Sequence, residues 1–76
     1  MKTVKSSLIA KIGYDAEAEV LVVEFKAGST YDYARVTQGV YDLLMAAPSI
    51  GSHFINFIKK DPKKFPFTKV ETVYTV

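Results

Sequence analysis

The chain contains no cysteine, and it has three prolines and a single histidine. Without cysteine there is no disulfide, no thiolate metal ligand and no thiol redox chemistry. One histidine and scattered carboxylates give no ligand spacing for zinc or calcium. No metal or cofactor is therefore expected. No apolar run approaches the length of a membrane span, and no long apolar stretch follows the N-terminus. These absences predict a cytoplasmic protein with no membrane partner. A glycine-rich strand-to-helix loop is also missing, which argues against nucleotide hydrolysis. No repeat, low-complexity segment or linker divides the chain.

Charge of one sign does not dominate either: 10 basic side chains face 8 acidic ones, for a net charge of +2. That excess alone does not imply a polyanionic partner. Its distribution is uneven. Residues 1–50 carry five basic and six acidic groups, whereas residues 51–76 carry five lysines against Asp61 and Glu71. The basic character is C-terminal.

What is present is a 76-residue chain that is 49% apolar, enough for one small domain spanning residues 1–76. A domain of this size is marginally stable alone and commonly adds staples or partners. Since it has no staple, self-association as a homo-oligomer is expected.

Hydrophobic patterning predicts an α+β fold. Residues 4–14 read as a first strand with Val4, Leu8, Ala10 and Ile12 on one parity, followed by a loose turn. The clearest strand is residues 19–26, where Leu21, Val23 and Phe25 share a face. Gly28 supplies a hairpin turn into a third strand over residues 30–36, which places Tyr31, Tyr33 and Arg35 on one face. These make a small antiparallel meander of about three strands. Thr37 can cap a helix with Val40, Leu43, Leu44 and Ala47 at helical spacing. Pro48 stops it, and a second helix follows to about residue 60 with Ile50, Phe54, Phe57 and Ile58 as its apolar stripe. Residues 63–67 read as a basic-aromatic loop. Residues 70–76 have the β propensity of a possible fourth, C-terminal strand, which could also pair with another chain.

Several residues are candidates for binding, and each has a plain structural alternative. Ser49, Gly51, Ser52 and His53 form a small-residue helix start whose amides and hydroxyls could meet a phosphate, with Gly51 allowing close approach. The alternative is capping by Ser49 and tight packing at Gly51. Tyr31 and Tyr33 could stack on bases beside the charge of Arg35, or could pack the helices on the sheet. Lys59 and the lysines up to Lys69 interleave with Phe57, Phe65 and Phe67, a pattern that suits nucleic acid. It is also that of a solvated helix end. His53 near Ser49 and Ser52 does not make a catalytic triad, because no carboxylate accompanies them in the helix start. The chain is not expected to be an enzyme.

The ordered set Ser6-Ser7-Leu8-Ile9, Gly13-Tyr14-Asp15, Leu21 to Phe25, Gly28 to Tyr33, Val36 with Tyr41, and Ala47 to Phe54 resembles the KTSC domain. This module is named for its occurrence at the C-terminus of some lysyl-tRNA synthetases, and it also occurs as small free-standing bacterial and phage proteins. The resemblance covers roughly residues 4–60, leaving 65–76 as a tail beyond the family core. The family's Tyr-x-Tyr pattern falls on Tyr31 and Tyr33, and its Ser-x-Gly helix start on Ser49 and Gly51. The resemblance implies a small sheet with helices and brings no established catalytic activity. Taken together, these readings predict a non-catalytic binder of a small phosphate-bearing nucleotide, a phage-type sponge for a signalling nucleotide. In that reading Tyr31, Tyr33 or His53 stacks on the base, and Arg35, Lys59, Ser49 and Ser52 hold phosphates. The alternatives are an RNA-binding module using the C-terminal lysines, and a protein inhibitor acting through the C-terminal strand.

Overall fold

Alternation in the β-branched run produces the central strand of the sheet. In this computed structural model, which describes residues 2–70, strand β3 (Val20–Phe25) buries Leu21, Val23 and Phe25 on one face. It is flanked by β2 (Ile9–Asp15) and β4 (Thr30–Tyr33), which completes the expected meander. Two short strands, β1 (Lys2–Thr3) and β5 (Phe67–Val70), pair on its outer edges. The result is a five-stranded antiparallel sheet in the order β1-β2-β3-β4-β5.

Helix α1 (Gln38–Ala46) and helix α2 (Ile50–Phe54) supply the second layer. Helix α2 continues directly into a π-helical turn, Ile55–Lys59. Thr37 and Ser49 cap the two helices, their hydroxyls accepting from the Val40 and Ser52 N–H groups, both at 3.4 Å. Leu44, Phe54 and Ile58 from this layer meet Ile9, Ile12, Leu21, Val23 and Tyr33 of the sheet in one core. At the α1 end, the Tyr14 ring stacks on Tyr41 with centroids 4.3 Å apart. Its hydroxyl donates to the Val36 carbonyl at 2.7 Å.

The expected first strand, 4–14, is broken. The Ser6 hydroxyl accepts from the Leu8 and Ile9 N–H groups, at 3.1 Å each, and turns the chain before β2. A bulge between Ile9 and Lys11 then leaves Ala10 without a partner. The bulge changes the parity of the strand, so Ile9 and Ile12 are buried instead of an unbroken even-numbered set. The third strand ends at Tyr33, short of the expected Val36, and the Ala34 N–H turns to the Pro66 carbonyl at 2.8 Å. Arg35 has φ 61°, so it leaves the alternation of Tyr31 and Tyr33. On the helices, Leu43 and Phe57 stand 66% and 63% exposed, outside the apolar stripes that helical spacing assigns them. Phe67, read as the end of a loop, opens β5. Val70 closes β5, and the rest of the expected 70–76 strand lies outside the described residues.

Gly51 is buried against the Ser6 turn. A Cβ there would lie 2.8 Å from the Ser6 hydroxyl and 3.7 Å from the Leu8 Cβ. This close approach ties α2 to the start of β2. We expect Gly51→Ala to cost about 1–3 kcal/mol by overpacking and Ser6→Ala to cost about 1 kcal/mol through its lost hydrogen bonds. The double variant should lose less than the sum, because removing the hydroxyl makes room for the new methyl group. Urea unfolding of the four proteins measures this. Additivity within about 0.5 kcal/mol would show that the two sites do not press on each other.

Candidate functional site

Residues directly opposite each other in an antiparallel pair project from the same face. The register sets Tyr33 opposite Leu21 and Phe67, and Tyr31 opposite Val23 and Lys69. All of these therefore belong to the helix-facing side of the sheet. The helical layer fills that side over Leu21 and Val23, which are fully buried, but not over the β4–β5 edge, where Tyr31 is half-buried and Phe67 is 53% exposed. The uncovered strip is a groove of about 410 Å³. Phe25, Tyr31, Tyr33 and Phe67 form its aromatic wall, Lys59 and Pro62 its opposite rim, and Ala27 and Ser29 one end.

The aromatic wall is continuous with the core. Phe54 meets Tyr33 edge-on at 5.0 Å and Phe25 at 5.7 Å. Phe25 meets Tyr31 at 5.7 Å, and Phe67 lies 5.9 Å from both Tyr31 and Tyr33. Such contacts lock ring orientation. Phe25 and Tyr33 are buried and form the base of the wall, while Tyr31 and Phe67 present open ring surface to the groove. Burial pushes the Tyr33 hydroxyl above the ordinary tyrosine pKa, with a smaller contribution from neighbouring Tyr31. It therefore stays protonated and able to donate at neutral pH.

Lys59 reaches the groove because of the π turn. The Lys60 N–H bonds back to the Ile55 carbonyl at 3.2 Å, five residues earlier. A turn closed that way takes up more residues than the 3.6 of an α-helix. Lys59, five residues after Phe54, is thereby brought round toward the face that Phe54 buries. Its Nζ lies 6.0 Å from the Phe25 ring centroid, at the outer limit of about 6 Å for cation–π attraction. The same rotation turns Phe57 outward.

Of the residues expected to bind, the groove brings together Tyr31, Tyr33 and Lys59. Arg35, Ser49, Gly51, Ser52 and His53 do not line it. Ser49 is occupied as the cap of α2, and Gly51 packs on Ser6, which closes it to any approaching ligand. His53 packs its ring 4.5 Å from Phe57. Phe25 and Pro62 are groove residues that sequence reading missed, and Phe67, read there with the C-terminal lysines, was not placed beside Tyr31 and Tyr33. Phe67 carried a signal, since Phe67 and Lys69 alternate as a strand partner for Tyr31 and Tyr33 would. Among the described residues no group of three or more His, Cys, Asp or Glu could hold a metal ion. No helix among them is long and apolar enough to cross a membrane.

Comparison with known proteins gives a consistent result. The KTSC domain family matches residues 5–61. A lysine–tRNA ligase of Nostoc punctiforme is 38% identical over 66 residues, covering 87% of this chain and only 11% of the ligase. A small protein of Stutzerimonas stutzeri is 34% identical over 88% of this chain and 92% of its own length. Among solved structures, the crystal structure of a KTSC domain protein from Yersinia pestis superimposes with a TM-score of 0.81 at 35% identity, covering 92% of this chain and 94% of that one.

Two hydroxyls in this framework link stability to pH. Tyr14, like Tyr33, is raised above the ordinary value, by burial first and then by Glu19, Asp42, Asp15 and Tyr41. The folded chain therefore holds these protons when the unfolded chain releases them, so stability is full below about pH 10 and falls as pH rises through the folded pKa values. Urea unfolding at a series of alkaline pH values should show that fall. It should be shallower in Tyr14→Phe and Tyr33→Phe, which have no proton to lose there. An identical slope in both variants would contradict this origin.

Proposed function

The chain belongs to the KTSC domain family, and on that premise we propose that it is a non-catalytic protein that binds a small phosphate-bearing nucleotide in the groove. The observation that carries the reading is the groove itself: an aromatic wall fixed by the core, with a lysine ammonium held over it. A nucleobase stacks on such rings, and base–aromatic stacking contributes about 1–3 kcal/mol per base. Lys59 supplies the charge for a phosphate. The groove's volume also suits a small molecule, whose sites run from about 300 to 1,000 Å³. The family match names no catalytic activity, and binding without turnover suits sequestration of a signalling nucleotide. A second copy is part of this proposal. β5 is an outer strand of the sheet, and pairing through it would shelter the open side of the groove.

The competing reading is RNA binding. It draws on the exposed lysines Lys60, Lys63 and Lys64 and on the lysine–tRNA ligase relative, of which this chain spans about a tenth of the length. The two readings differ in salt dependence. An RNA surface loses affinity steeply as salt rises, whereas enclosed contacts are screened less.

Native mass spectrometry of protein purified from its host is expected to show a co-released nucleotide and a mass above the monomer. In calorimetric titration with nucleotides, Phe67→Ala and Tyr31→Ala should weaken binding about tenfold or more. His53→Ala, which alters a ring outside the groove, should leave it unchanged. Failure of every nucleotide to bind would end this reading. Steeply salt-dependent RNA binding that is lost when Lys60, Lys63 and Lys64 become Gln would replace it.

A further inference from the structure

The groove differs from one end to the other. Residues two apart on a strand share a face, so Phe67 and Lys69 both project from the groove side of β5. Phe67 stands opposite Tyr33, and Lys69 opposite Tyr31. The Tyr33–Phe67 end is aromatic and backed by Phe54. The other end lies toward the β3–β4 turn, where the Phe25 N–H donates to the Ser29 carbonyl at 2.8 Å. There Lys59 hangs over Phe25 from the helical side, and Lys69 rises beside Tyr31 from the sheet edge. The Phe25 and Tyr31 rings, 5.7 Å apart, lie between the two lysine positions; Lys69 itself is exposed and stands at the edge of the groove, outside its lining. The acidic residues of these strands, Glu24 and Asp32, alternate onto the opposite face, and none of the residues lining the groove is a carboxylate. The cationic end is thus not neutralised from within.

Resting on the nucleotide reading above, we infer that Lys69 is a second phosphate-binding cation and that the groove selects a ring carrying its negative charge at one end. A nucleoside monophosphate matches this pattern, with its base on the exposed Phe67 ring and its phosphate toward Lys59 and Lys69. The phosphate then gains two charge-assisted contacts, which a nucleoside lacks.

The test is calorimetric titration of nucleoside monophosphates and their nucleosides against wild type, Lys69→Gln, Lys69→Arg, Lys59→Gln and Lys64→Gln, with circular dichroism as the check on folding. We expect Lys69→Gln to weaken monophosphate binding about tenfold. Nucleoside binding should not change, Lys69→Arg should retain most of the affinity, and Lys64→Gln should behave as wild type. Monophosphate affinity unaffected by Lys69→Gln but reduced by Lys59→Gln and Phe67→Ala would overturn the role of Lys69 while keeping the nucleotide reading. Equal loss for nucleoside and nucleotide would overturn it too, by showing that Lys69 supports the strand and not the phosphate. Absence of binding by any of these compounds to wild type would remove both.

Discussion

Phe54 is fully buried between Phe25 and Tyr33, and this contact fixes the helical layer on the sheet. Aromatic rings of this size dominate the energetics of a small core. Here the contact also decides where the core stops. Phe54 closes the space over β3 and the near side of β4, leaving Tyr31 and Phe67 beyond its reach. The groove is the outward continuation of the same ring-to-ring contacts. Its wall is therefore rigid for the reason that the core is rigid, and a ligand ring lying on it meets surfaces already oriented.

Much of this architecture was legible in the sequence. The central strand, the hairpin at Gly28, the Thr37 cap and the break at Pro48 all follow from local chemistry, and each is found where that chemistry puts it. Two of the features that escaped are ones in which one residue too many is absorbed by the backbone. The bulge at Ala10 changes strand parity, and the π turn changes helix phase. Neither leaves a mark in a simple count of twos or of 3.6s. The first moved the buried set of β2. The second moved Phe57 out of the apolar stripe and Lys59 toward the aromatic wall.

The site was legible in part for the same reason. Tyr31 and Tyr33 stand out because they lie on a strand with unambiguous alternation. The Ser49–His53 segment looked like an anion site because small residues and hydroxyls are equally suited to capping and to close packing. Only the location of Ser6 decides between these uses for Gly51, and Ser6 lies far away in the chain. Phe67 was hidden by its neighbours. Pro66 and the lysines give residues 63–67 the composition of a loop, while the register of β5 depends on a hydrogen bond from Ala34 that no local pattern announces.

The π turn also bears on how this family can vary. A π turn is, in effect, a single residue inserted into an α-helix and accommodated within one loop of the coil. The position of Lys59 over Phe25 is thus set by chain length between Phe54 and Asp61 as much as by the choice of lysine. Deletion of one residue there would restore the ordinary coil and swing the ammonium off the aromatic wall with every groove side chain still present in the sequence. Relatives that share these aromatics but differ by one residue in this segment should be grouped by length before they are grouped by residue identity.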